Sequence, residues 1–259
     1  MVPWGDKFDM TISLCFTGNA DRVPSLDREL QRVGLPPGLR IWNVPSPHEL
    51  RIVEALPLKK RWMLSSAGFR NSGFGHYRAV KTAYELGSER CLVVEDDIRF
   101  LKDLDALAET VRTAPDADVL LFDLLKRGSE NTADIRRTCE TNASGRWTAP
   151  GDNPCSMACY GLNRRAMAFL VGCFEGAFDG RWPLGIADHY FWKRWHGGQI
   201  RFACAWPLAC IQVPVGVMSN TAVTFGGSDP NCQLDWYRDL GMDLSAYQFD
   251  VPSGLAPSR

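Results

Sequence analysis

The chain has little that would tie it to a charged polymer or a membrane. Its 259 residues set 29 Lys and Arg against 30 Asp and Glu, a formal net charge of −1. The basic face that a nucleic-acid backbone demands is therefore missing, and no nucleic-acid partner is expected. No window approaches the roughly 18 apolar residues of a membrane span. The opening "MVPWGDKFDM" carries acids where a signal peptide would be apolar. Histidine is scarce, at four, and nine cysteines include no C-x2-C pair. An odd number of cysteines scattered through apolar runs reads as free thiols in a reducing compartment. Cys155-x3-Cys159 lacks the second Cys or His pair that a zinc site requires. A cytoplasmic chain without a transmembrane segment is expected, with at most peripheral membrane contact. Repeats and low-complexity tracts are absent too. What is present is apolar bulk, 45% hydrophobic and 11% aromatic, enough for the core of a single domain over 1–259.

The first 125 residues alternate between two periods. "MTISLCF" (10–16) reads as a strand, followed by the polar loop "TGNADR". "SLDRELQRVGL" places Leu26, Leu30 and Val33 at helical spacing, with Ser25 as N-cap and Gly34 as stop. "LRIWNV" is a second strand, "GHYRAVKTAYELG" (75–87) a helix and "CLVVED" a buried strand. "DLDALAETVRTA" (103–114) and "ADVLLFDLL" (117–125) add another helix and strand. Such βα alternation predicts an α/β fold with a mostly parallel central sheet flanked by helices. Residues 126–154 are polar and lack clear periodicity, and so are expected to form a mobile loop. Beyond them come a strand near 155–163, helices at 164–174 and 187–198, a strand over 200–213 and a mobile tail, 251–259.

One stretch stands out. "CLVVEDDIRF" (91–100) sets Glu95, Asp96 and Asp97 directly after an apolar run. On a strand Glu95 and Asp97 would share a face and Asp96 the other; in a turn all three would lie at the carboxyl edge, where open α/β sheets bind ligands. Two carboxylates aimed at one point make a hard oxygen site for Mn²⁺ or Mg²⁺. The competing reading is a solvated strand end whose acids cap the next turn.

The block "GFGHYRAVKTAYELGSERCLVVEDDIRF" (73–100) resembles the central signature of glycosyltransferase family 25, the lipooligosaccharide galactosyltransferase-like group. The resemblance extends less specifically to "ISLCFTGNADR", "CYGLNRRAMAFL" and "PLGIADHYFW". Gly75 stands where that family usually has Ser, and "VVEDD" lacks the Leu that usually precedes the acids. The resemblance implies a GT-A-type nucleotide-binding fold, with a donor half at 10–125 and an acceptor half at 155–250. It further implies a UDP-sugar donor, a saccharide or glycolipid acceptor, and a divalent metal on an Asp-x-Asp-type motif, as in lipopolysaccharide biosynthesis.

Within that frame Glu95 and Asp97 are the expected metal ligands, and Asp96 faces sugar or ribose hydroxyls. Thr17, Asn19 and Arg22 line the loop after the first strand as donor-binding residues; Arg22 meets phosphate or else pairs with Asp21 or Asp27. His76, read as a helix start after two glycines, lies near the donor or is satisfied within the fold. Asp188 matches the family's acid and is the expected general base for inversion, with N-capping of the following helix as the alternative. His189 and His196 compete with it as base or third ligand. Trp182 is the candidate platform for an acceptor sugar amid aromatics that otherwise fill the core. Two rival functions stay open: a metal-dependent phosphohydrolase or nucleotidyltransferase, and an inactive sugar-binding domain of the same fold.

Overall fold

Every second residue of the central strands belongs to a different core. Leu92 and Val94 join one buried cluster, Val93 the other. This is the pattern of a sheet covered on both faces, and it explains why these strands read as unbroken apolar runs. The computed structural model describes residues 1–16, 22–36, 38–55, 67–124, 132–149, 157–179, 181, 198–213 and 232–247, excepting the side chains of 67–70 and 232–233.

β1 (Met10–Cys15) pairs in parallel with β2 (Leu39–Trp42) on one side and β3 (Arg90–Glu95) on the other. β7 (Cys159–Asn163) runs antiparallel between β3 and β5 (Val119–Leu121). β5 pairs in parallel with β8 (Phe202–Ala205), and β6 (Trp147–Thr148) closes the far edge. The order is β2-β1-β3-β7-β5-β8-β6, with β1, β2, β3, β5 and β8 all pointing one way. A second sheet of two antiparallel strands joins β4 (Ile98–Phe100) to β9 (Cys210–Gln212). The mostly parallel α/β architecture is as expected. Residues 10–125 and 155–250, expected as separate halves, share one sheet, since β7 lies between β3 and β5.

α1 (Val23–Arg32) buries Leu26 and Leu30, and Gly34 follows it at φ 74°. Its N-cap is Arg22 rather than Ser25, because Pro24, which lacks an N–H, suits the first turn. Ser25 instead accepts from Arg99 Nη2 at 2.6 Å. α2 (Pro47–Ala55) opens with a capping box, Ser46 N–H donating to Glu49 Oε2 and Glu49 N–H to Ser46 Oγ. α3 (Ala67–Glu85) and α6 (Arg164–Phe178) cover one face with Val80, Leu170 and Phe174. α1 and α4 (Leu104–Arg112) cover the other with Leu26, Leu107 and Val111. α7 (Cys232–Asp239) adds Trp236 and Tyr237 to the α3 side.

Three expectations change. The helix expected at 75–87 begins by Ala67, so Gly75 and His76 are interior. Gly75 is useful there because a Cβ would lie only 3.0 Å from Asn43 Cβ, so the helix packs directly onto the chain after β2. The 126–154 segment contains α5 (Thr132–Asn142), which buries only Cys139, and β6; one buried residue leaves little periodicity to read. The strand expected over 200–213 is two strands in different sheets, parted by Trp206-Pro207, since proline cannot continue a ladder. The helix expected at 187–198 falls almost wholly outside the described residues, and the tail does so entirely.

Gly161, mid-β7, faces Phe8 so closely that a Cβ would sit 2.3 Å from Phe8 Cε1. Gly161→Ala is expected to destabilise by about 1–3 kcal/mol through overpacking. Gly172→Ala, on an exposed turn of α6 with nothing within 4 Å, is expected to stabilise by about 0.5–1 kcal/mol. Urea denaturation of the two variants checks both signs.

Candidate functional site

The chain leaves β1 for β2 on one side, and β3 takes its place on the other. The crevice outside the carboxyl ends of β1 and β3 is thus the topological switch point, where open α/β sheets bind ligands. Glu95 ends β3, and Asp96-Asp97 form the two-residue turn into β4, so all three acids lie at that edge and link the two sheets. Backbone bonds fix them: Glu95 N–H donates to Ala158 O at 2.7 Å, and Val213 N–H to Asp97 O at 2.8 Å.

The three side chains divide the space between them. Asp96, fully buried, accepts from Phe16 N–H at 2.8 Å through Oδ2, which ties β3 to the end of β1. Its Oδ1 lies 3.4 Å from Arg22 Nη1, and the same nitrogen is 3.5 Å from Asp97 Oδ2. Glu95 and Asp97 converge on Gln212, whose amide nitrogen is 2.9 Å from Glu95 Oε2 and 3.5 Å from Asp97 Oδ1. Glu95 Oε1 lies 3.1 Å from His76 Nε2, and His76 Nδ1 is 2.9 Å from the Tyr160 hydroxyl. An ionised Glu95 takes the Nε2–H, which leaves Nδ1 to accept from Tyr160 and fixes the ring's tautomer.

Counter-charge is present but loose. Good charge-assisted bonds are about 2.7–2.9 Å long, well inside the Arg22 distances. Burial, then Asp97, pushes the Asp96 carboxyl up to about 6, against the pull of Phe16 N–H and Arg22. Burial, then Glu95, pushes Asp97 up to about 7, although Arg22 and Arg99 oppose it. A positive charge delivered to this turn would be stabilised.

His76 is buried inside α3, not at a helix start, so the expected anion site at a helix N-terminus does not exist there. Arg22 pairs with Asp96 and Asp97, and Asp27 pairs with Arg40, while Asp21, the other expected partner of Arg22, lies outside the described residues. Thr17, Asn19, Trp182 and Asp188, together with His189 and His196, lie outside the described residues. The seven cysteines whose side chains are described are buried and form no disulfide. Tyr160, Gln212, Tyr237 and Asp123 were not anticipated. Gln212 is the lone polar residue in "ACIQV", and Asp123 the lone acid in "LLFDLL", buried at the same sheet edge and accepting from Cys159 N–H at 3.3 Å. A single polar residue inside an apolar run was the available signal. An open cavity of about 480 Å³ lies at the opposite edge, lined by Lys7, Asp9, Arg90 and Arg165 among others, and its mixed charges select no ligand.

Among the described residues no three His, Cys, Asp or Glu side chains are grouped to hold a metal ion. The donor chemistry at Glu95 and Asp97, two carboxylate oxygens turned on one point, nevertheless fits a hard cation. No described helix is long and apolar enough to cross a membrane.

Because Asp96 and Asp97 titrate higher in the folded chain than the usual 3.8, they stabilise it most when protonated. Without added metal, stability is expected to fall as pH rises from about 4 to 7 and to level off above. Asp97→Asn should flatten that slope in a pH series of Tm. Arg22→Met should cost about 3–5 kcal/mol at pH 8, where it strands buried carboxylates, and less at pH 5.

No family model matches the chain, and no curated protein matches it. Among solved structures it is similar to mannose-1-phosphate geranyltransferase from Thermus thermophilus, at 14% identity over 76% of this chain and 73% of that one, with a TM-score of 0.38. At that distance the likeness transfers no residue role.

Proposed function

We propose that this chain is a metal-dependent glycosyltransferase that moves a hexose, galactose or glucose, from a UDP-sugar to a glycan or lipid-linked saccharide, with inversion. The observation that carries the reading is the convergence of Glu95 and Asp97 at the β1/β3 crevice, where both are buried and Arg22 meets Asp97 only loosely. The resemblance of residues 73–100 to glycosyltransferase family 25 supports the same assignment. Glu95 and Asp97 would hold Mn²⁺ or Mg²⁺, which supplies Lewis-acid stabilisation of the departing diphosphate. His76, braced by Tyr160, orients Glu95. Arg22 adds a fixed positive charge beside the crevice and a potential phosphate contact. Asp96 holds the end of β1 against β3, with sugar or ribose hydroxyls as its proposed ligand. Asp188 remains the proposed base and Trp182 the proposed acceptor platform.

One observation favours a second reading, a sugar-binding domain without catalysis: Arg22 already meets two of the three acids, as structural carboxylates require. A panel of UDP-sugars with and without Mn²⁺, followed by thermal shift and UDP release, separates the two. The transferase reading expects stabilisation by UDP that depends on Mn²⁺ and disappears in Asp97→Ala. Absence of a shift with every UDP-sugar would sink it in favour of the second.

A further inference from the structure

Among the described residues no third His, Cys, Asp or Glu joins Glu95 and Asp97 in a metal-holding group. A hard divalent cation takes six or more oxygen ligands, so two monodentate carboxylates leave most positions open. The side chain standing between them is the Gln212 amide, with one nitrogen 2.9 Å from Glu95 Oε2 and 3.5 Å from Asp97 Oδ1. An NH₂ group between two anions supplies partial positive charge where a cation would supply a full one.

The backbone beneath that amide is held from three directions. Gln212 pairs with Ile98 in the β4–β9 ladder. Its N–H donates to the Tyr237 hydroxyl at 3.1 Å, and the next N–H, of Val213, donates to Asp97 O at 2.8 Å. A half-turn about the terminal torsion exchanges Nε2 for Oε1 without a change of shape.

We propose that Gln212 is the third side chain of the cation site: its NH₂ spans Glu95 and Asp97 when no cation is bound, and its Oε1 turns inward as a ligand when a divalent cation binds. This assignment rests on the metal-dependent reading above. It accounts for an amide at this position. A carboxylate would add a fourth acid to the three already gathered here, and a hydrocarbon would deprive Glu95 Oε2 of this donor.

The test is Mn²⁺ binding by the full chain, measured by calorimetry and by electron paramagnetic resonance of free Mn²⁺, for wild type, Gln212→Met and Gln212→Glu. The metal-free Tm of each reports folding. Gln212→Met is expected to weaken Mn²⁺ binding by about 10–100-fold. Gln212→Glu, which keeps an oxygen, is expected to bind Mn²⁺ at least as tightly as wild type while its metal-free Tm drops. Mn²⁺ binding to Gln212→Met as tight as wild type, or tighter, overturns the proposal, because the amide then merely occupies the space. Should Gln212→Met not fold, weakened Mn²⁺ binding by folded Gln212→Glu overturns it equally. A wild-type chain that takes up no Mn²⁺ removes the metal-dependent reading itself, and the role of Gln212 with it.

Discussion

Three carboxylates buried in one turn, with a loosely placed guanidinium between two of them, constrain most of what surrounds them. Two unit charges about 4 Å apart repel by about 4 kcal/mol at the effective dielectric of a protein. The acids therefore need donors, and those donors come from several different elements. Asp96 takes the end of β1 and the start of α1, through Phe16 N–H and Arg22. Glu95 takes α3, through His76. Glu95 and Asp97 together take β9, through Gln212. The turn is thus the point where the large sheet, the small sheet and two helices are tied together.

As a device for stability alone, this arrangement is poor. Buried ion pairs seldom outperform well-packed apolar residues of the same volume, and at 3.4 and 3.5 Å Arg22 stands farther from Asp96 and Asp97 than in a good charge-assisted bond. The neighbouring parts of the sheet show the apolar alternative at work, with Val93, Val94, Leu120 and Leu121 buried on its two faces. A local departure from the rule that governs the rest of the sheet, placed at its topological switch point, is what a binding site looks like in physical terms.

The sheet and most helices were legible because burial on both faces leaves long apolar runs, and helices on one face leave stripes at 3.6. Leu26, Leu30 and Val33 are buried together, as their spacing predicts. The partners of the acids were not legible, because no periodicity connects residues 74 or 117 positions apart. Arg22 looks toward Asp21 or Asp27 in the sequence and toward Asp96 in space, while Asp27 is engaged by Arg40 from the adjacent strand. His76 was misplaced for a different reason. Glycine usually ends or starts a helix, whereas Gly75 sits inside one, at a point where a Cβ would press on Asn43 at 3.0 Å.

The division of roles among the acids follows from where their donors are anchored. The bonds of Asp96 run to backbone and to an arginine whose charge is fixed, so that carboxylate has no easy second state. Glu95 and Asp97 share a neutral amide whose two ends differ in sign but not in size, so a half-turn of that amide reverses the polarity they face. Gln212 is joined in turn to Tyr237 of α7 through its backbone N–H, and α7 packs with the core that also holds Tyr160. The adaptable part of the site therefore lies on the small sheet and the unyielding part on the large one. The turn between β3 and β4 is the shortest stretch of chain that can belong to both.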